Sequence, residues 1–293
     1  MKLRHAQAVW MMVAVTLMWS TAGVVTRHLE QARSFEVTFW RSFFTVLSLL
    51  VILPFAQGPG VWRKLRHGGA TLWLSGLCWS VMFTAFMVAL TLTSVANVLV
   101  TMAIGPFVTA LMARAFNGHR IPLRTWLAIA VAGAGIASMY ADQISAGGLV
   151  GTLVALCVPL AAASNWTLTQ RSHSQGRDVD LVPSVLVGAV VSSLVTLPLA
   201  WPLQASAHDL VLLGLLGLGQ LAIPCVLCVM SARVLAAPEV SLLGLLEVIF
   251  GILLAWVGAG EAPAASVLAG GALVIAALVA NELLGWSRQK ATP

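Results

Sequence analysis

Long apolar runs with almost no charge, separated by short polar breaks, dictate the solvent in which this chain can fold. Charged residues are 9% of the sequence and hydrophobic residues 59%, whereas a soluble domain carries about a quarter charged residues. Ten runs are long enough to cross a membrane as helices: approximately 8–26, 35–55, 70–90, 95–115, 123–140, 149–169, 181–200, 209–230, 238–258 and 265–285. A hydrocarbon core of about 30 Å requires roughly 17 to 25 residues of helix. Inside lipid every backbone N–H and C=O needs a partner from the chain itself, so only helices and closed barrels span it. The alternating pattern of a barrel strand is absent. The expected fold is an all-α integral membrane protein of ten transmembrane helices, with loops too short to house a soluble domain.

The second half of the chain repeats the first. A slide of 144 residues lays Arg27 on Arg171, Glu36 on Asp180 and Leu53-Pro54 on Leu197-Pro198. A slide of 141 lays Leu74, Gly76, Leu77 and Val88 on Leu215, Gly217, Leu218 and Val229, then Ala96 on Ala237 and Pro122 on Pro263. One shorter loop absorbs the difference. Five spans per half is an odd number, so the second copy runs through the membrane upside down. Two inverted five-helix repeats, 1–145 and 146–293, are thus expected to form one membrane unit, the architecture of alternating-access carriers.

Charge placement argues against nucleic acid as the partner of this +6 chain. Thirteen of the sixteen Lys and Arg residues, from Lys2 and Arg4 through Arg63, Lys64 and Arg66 to Arg288 and Lys290, fall at alternate helix ends, and only Arg27, Arg33 and Arg41 fall toward the other side. This positive-inside bias puts both termini in the cytoplasm, in a bacterial-type cytoplasmic (inner) membrane, with anionic lipid headgroups facing the basic surface. Residues 1–25 resemble a signal peptide in their Lys2 and Arg4 start and their small-residue run Ser20-Thr21-Ala22-Gly23, but the apolar stretch is too long and pairs with the sixth span. Cys78, Cys157, Cys225 and Cys228 lie in apolar spans and are expected to be buried small hydrophobes. Cys225 and Cys228 form a CxxC that no second pair or nearby His completes, so neither metal nor cofactor is expected. The sequon at Asn165 is likewise inside a span.

In an inverted-repeat fold the substrate site lies near the midplane between the halves, so the informative residues are polar or aromatic ones halfway along a span. Glu247 is the foremost. Nine residues into the ninth run, it stands roughly 13 Å from the near end, where an ionisable group costs about 2.5 to 3.5 kcal/mol and must face a cavity, meet a partner or be protonated. It reads as a proton-coupling or amine-binding carboxylate, or as an acid that only packs. Its symmetry mate is Pro106, which removes a helical hydrogen bond and is expected to kink the fourth span. Gly244, Gly251, Ala255 and Gly258 share the Glu247 face and permit close helix approach, as packing or as a rocking fulcrum at Gly251.

Asn97 and Thr101 share one face of the fourth span, and Gln220 lies in the eighth; each could orient a polar substrate group or bridge helices. Seven tryptophans, Trp10, Trp40, Trp62, Trp73, Trp126, Trp201 and Trp286, fall near span ends as interfacial anchors. Trp19, Trp79 and Trp166 lie deeper, and with Met82, a helical turn from Trp79, could wall a cavity for an apolar or aromatic ligand or fill core. Arg41 lies about 9 Å inside its span and has three readings: snorkelling outward, pairing with an acid, or meeting a substrate carboxylate. Glycine pairs Gly133/Gly135 and Gly270/Gly271 on the fifth and tenth spans could dimerise or pack, so the oligomeric state stays open.

At Leu246-Glu247-Val248-Ile249-Phe250 through Ala255-Trp256 and Gly260-Glu261, the chain resembles the drug/metabolite transporter superfamily in its ten-helix EamA branch. Ala103-Ile104-Gly105-Pro106-Phe107 matches in the first repeat, and Trp19-Ser20 and Arg41 resemble further family positions. Val248 stands where the family usually has Pro, and Arg120 where its first repeat often has Glu. The resemblance implies export of small metabolites through a cavity between the repeats. Trp19-Ser20-Thr21-Ala22-Gly23 and Ser164-Asn165-Trp166-Thr167 look most like the YddG-type exporters of aromatic amino acids.

The expected function is therefore secondary transport of small molecules, aromatic or apolar amino acids first and other metabolites or drugs second, by alternating access. Trp19, Trp79, Met82 and Trp166 would hold the side chain and Asn97, Thr101 and Gln220 the polar head, with Glu247, Pro106, Gly251 and Arg41 in coupling or gating. No GxxxxGK[ST] motif for ATP occurs. An intramembrane enzyme would need HExxH, GxSxG or clustered acids, which are not found, and a scaffold without flux would not need inverted duplication.

Overall fold

A computed structural model describes residues 4–117, 122–141, 146–174, 180–231, 234–235, 243–244 and 246–291. The backbone there satisfies itself as an apolar chain must: its regular structure is helical and, among the described residues, includes no strand. The helices are α1 (His5–Arg27), α2 (Ser34–Gln57), the short α3 (Val61–His67), α4 (Gly69–Leu92), α5 (Val95–Met102), α6 (Gly105–Asn117), α7 (Leu123–Ala141), α8 (Ala146–Ser174), α9 (Val182–Ala200), α10 (Ala207–Leu215), a π-helical segment Leu216–Ala222, α11 (Ile223–Ser231), α12 (Leu246–Ala259) and α13 (Ala265–Ala291). Six stretches are long and apolar enough to cross a bilayer: α1, α2, α4, Val95–Met112, α9 and Ala207–Ser231. The other four apolar runs are helical over shorter stretches, Trp126–Gly135, Leu149–Asn165, Leu246–Ala259 and Ala265–Asn281. The beginning of the ninth run lies largely outside the described residues. Gly58 and Gly260 follow α2 and α12 at φ 76° and 67°, left-handed values that glycine adopts without steric cost where a helix must stop.

Two runs that read as single spans are interrupted. The fourth divides at Ala103–Ile104, where α5 ends and α6 begins at Gly105. Pro106 therefore sits in the first turn of a new helix, where its missing N–H leaves nothing unpaired, and the expected kink is a full break. The eighth run contains the π segment. Pro224 cannot donate to the Gln220 carbonyl and its ring crowds it, while the Ile223 N–H reaches back five residues to Leu218 O. Gly217 and Gly219 ease this rewinding.

Helix pairings come in matched sets. α4 packs on α8 and α9, while α11 packs on α1 and the π segment on α2. α12 lies against α1, and α6 against α8; α2 meets α9, and α7 meets α13. Glycine governs two of these crossings. A Cβ on Gly217 would lie 2.9 Å from both Arg41 O and Thr45 N, and one on Gly76 would lie 2.7 Å from Val187 Cβ and 3.3 Å from Ser184 O. Gly135 packs against Gly270 O and Val274, so this part of the α7 glycine face is used within the chain.

Loops 28–33, 93–94, 201–206 and 260–264 meet at one end of the bundle. Asp209, fully buried, accepts from the backbone N–H groups of Glu30, Gln31 and Ala32 at 2.8 to 2.9 Å. Glu36 returns the arrangement, accepting from Gln204 and Ala205 N–H at 2.7 and 2.8 Å. Trp10, Trp73, Trp126 and Trp201 are exposed as anchors should be, but Trp40 and Trp62 are half-buried, Trp40 donating to Glu36. The side chain of Trp286 lies outside the described residues.

Candidate functional site

Four helical elements, α1, α2, α4 and the π segment, bring polar groups together among apolar walls. The Arg41 side chain on α2 is fully buried. Its Nη1 donates to Gln220 Oε1 at 3.1 Å and its Nη2 to Phe83 O on α4 at 2.7 Å. The guanidinium carbon lies 5.8 Å from the centre of the Phe86 ring. Gln220 passes the chain on, its Nε2 donating to Trp19 O at 3.5 Å. Thr45 Oγ1 bridges Arg41 O and Gly217 O at 2.8 and 3.1 Å, holding α2 against the π segment. The π segment is what presents Gln220 to Arg41, and such segments recur at functional sites.

Trp79 packs on Phe83 with ring centres 5.5 Å apart. Trp19 and Met82, both half-buried, rest against the same apolar cluster. Buried Cys225 belongs to that cluster as well. Glu247, half-buried, lies on α12, and its carbonyl accepts from Ser20 Oγ on α1 at 3.2 Å. Counted in rises of 1.5 Å, Trp19 and Arg41 stand about 10 to 12 Å from the end where the loops meet, and Trp79 and Glu247 about 18 to 20 Å.

These placements sort the residues singled out from sequence. Trp19, Trp79, Met82, Arg41 and Gln220 come together. Arg41 does not snorkel and pairs with no acid among the described residues; its depth is real, but its direction is inward, onto Gln220 and the Phe83 carbonyl. Asn97 and Thr101 are buried in a different crossing, where Asn97 Nδ2 donates to Thr93 Oγ1 at 3.1 Å. Gly251 faces Leu99 of α5 in close contact, which fits a crossing point between α12 and α5. Pro106 opens α6. The side chain of Trp166 on α8 lies outside the described residues. The cysteines divide: Cys225 and Cys228 are buried as expected, whereas Cys78 is half-buried and Cys157 exposed. Sequence reasoning passed over Phe83 and Phe86, although 79, 83 and 86 form one helical face.

Away from this cluster, Glu30, His208 and Asp209 bring one ligand atom each within 4.8 Å at the loop end. The Asp209 oxygens there are committed to backbone N–H groups, so the group serves the loop. A recess lined by Glu30, Gln31, Ala32, Arg33 and Gln204 opens at that same end.

The sequence profile of the EamA-like transporter family matches residues 6–141, just under half of the chain. Among curated proteins none matches the chain. A crystal structure of another protein, 19% identical, superposes over 96% of this chain and 99% of that one with a TM-score of 0.60, a likeness of fold. With the apolar helices, this similarity supports a multi-pass integral membrane protein.

Proposed function

We propose that the protein is a secondary carrier that exports aromatic or apolar amino acids by alternating access. The halves 1–145 and 146–293 act as two inverted five-helix repeats of a ten-span unit, in a bacterial-type cytoplasmic membrane with both termini inside. The observation that carries this reading is the cluster of Trp19, Arg41, Phe83 and Gln220, a buried polar centre with aromatic walls to which both halves contribute. Matched helix pairings and the reciprocal roles of Gly76 and Gly217 support the repeat. Trp19, Trp79 and Met82 suit an apolar side chain, Gln220 a polar head, and Glu247 a coupling or amine-binding role. Asn97, Thr101 and Trp166 are assigned to substrate binding from their sequence positions alone, while the break at Pro106 and the α5 contact at Gly251 serve the rocking motion. Likeness to YddG-type exporters points to the same substrates.

Proteoliposome flux of labelled phenylalanine and tryptophan, against a polar control amino acid and with or without a proton gradient, tests this. Saturable aromatic flux above empty liposomes is expected. No flux of any amino acid would overturn the substrate assignment. A gradient effect abolished in Glu247→Gln would assign proton coupling to Glu247.

A further inference from the structure

We propose that Arg41 and Glu247 are the two poles of a zwitterion-selective site, Arg41 taking the substrate's carboxylate and Glu247 its ammonium group. This rests on the carrier reading above and deepens it by naming what the central site selects.

Arg41 is a fully buried cation whose hydrogen-bond partners are both neutral. Two nitrogens bond Gln220 and the Phe83 carbonyl, and its Nε has no hydrogen-bond partner. Arginine has five donors and stays charged in proteins, and a buried charge without a counter-ion is costly. Glu247 is the complementary case. Its carbonyl is engaged by Ser20, yet among the described residues its carboxylate makes no hydrogen bond and no ion pair. The two do not pair with each other, but successive residues of α1 join their surroundings: Gln220, which Arg41 bonds, donates to Trp19 O, and Ser20 donates to Glu247 O. Among the described residues neither group has a partner of opposite charge.

Ligand chemistry follows from the signs. A simple anion would satisfy Arg41 and be repelled by Glu247, and a simple amine would do the reverse. A molecule carrying both charges satisfies both poles and leaves neither unpaired, the basis of strong discrimination against analogues lacking one group. The walls at Trp19, Trp79, Phe83 and Met82 accept its apolar part.

The test is calorimetric binding to nanodisc-reconstituted protein of phenylalanine, of phenethylamine, which lacks the carboxylate, and of 3-phenylpropanoate, which lacks the amine. Wild type should bind phenylalanine at least tenfold more tightly than either analogue. Arg41→Gln should reverse the preference toward phenethylamine, and Glu247→Gln toward 3-phenylpropanoate. Arg41→Lys, which keeps the charge, should retain the wild-type order, and with Glu247→Gln it carries the test if Arg41→Gln does not fold. Equal affinities for the three ligands, or parallel losses for all three in both variants, would overturn the proposal. Wild-type phenylalanine flux in liposomes without such discrimination overturns this inference alone; absence of that flux overturns the carrier reading and this inference with it.

Discussion

Arg27 Nε and Glu261 Oε2 stand 2.6 Å apart, joining the last residue of α1 to the turn before α13. Every charged end of the pair is engaged elsewhere too: Arg27 donates to Leu90 O and Thr93 O at 2.8 and 2.9 Å, and Glu261 Oε1 accepts from Val95 N at 2.7 Å. One knot therefore ties α1, α4, α5 and the 260–264 turn at the loop end. With side chains only 28% and 22% exposed, it is shielded more than a surface pair, whose worth is about 0 to 1 kcal/mol. Arg27→Ala and Glu261→Ala should each lower the thermal midpoint in detergent, and the double variant should fall short of their sum by a coupling of about 0.5 to 3 kcal/mol. Strict additivity would show that the two residues act separately.

Asp209→Ala should release the 28–33 loop. Three backbone N–H groups lose their common acceptor, and a buried donor left unsatisfied costs about 1 to 3 kcal/mol, water replacing part of it. The check is limited proteolysis from the loop side: faster cleavage within 28–33 in the variant, with Asp209→Asn intermediate because it keeps one acceptor oxygen. Unchanged cleavage would mean the loop is held by its other contacts.

Gly217→Ala should destabilise the protein by about 1 to 3 kcal/mol, the usual cost of overpacking, because the added Cβ meets α2 backbone at Arg41 O and Thr45 N and backbone cannot step aside as a flexible side chain can. Gly133→Ala is the matched control. Nothing lies within 4 Å of a Cβ there, and alanine improves helix propensity by up to about 1 kcal/mol. Opposite shifts in the thermal midpoint are expected; a loss at both positions would point to helix effects common to any glycine replacement.

What the sequence discloses here is depth, and what it withholds is direction. Run length against lipid thickness located the helices because lipid leaves the backbone no other choice, and the six long spans fall on runs visible in the sequence. Counting residues from a span end likewise placed Trp19, Arg41, Trp79, Gln220 and Glu247 in the interior. Azimuth was not available, since a span that is apolar all round has no pattern to say which face meets its neighbours. Hence Asn97 and Thr101, at suitable depth, belong to another crossing, and Arg41 turns inward rather than snorkelling. The break after Met102 and the π segment were half visible: Pro106 and Pro224 announce a missing hydrogen bond, but neighbouring packing decides whether the helix bends, stops or rewinds.

Pro224→Ala tests whether that rewinding positions the site. Restoring an N–H at 224 lets it donate to the Gln220 carbonyl, which removes the local reason for bonds reaching back five residues. Relaxation to an α-helix would turn the side chains on one side of the segment by about 100°, one residue at 3.6 per turn, and carry Gln220 away from Arg41. The expected result is a folded protein whose phenylalanine flux falls on the order of tenfold, the effect of losing a bond to a charged group worth about 1.5 kcal/mol or more. Gln220→Ala should cause a similar loss, and the double variant should be no worse than either, because both changes remove the same contact. Full flux in Pro224→Ala, with Gln220→Ala impaired, would show that Gln220 reaches Arg41 without help from the π segment.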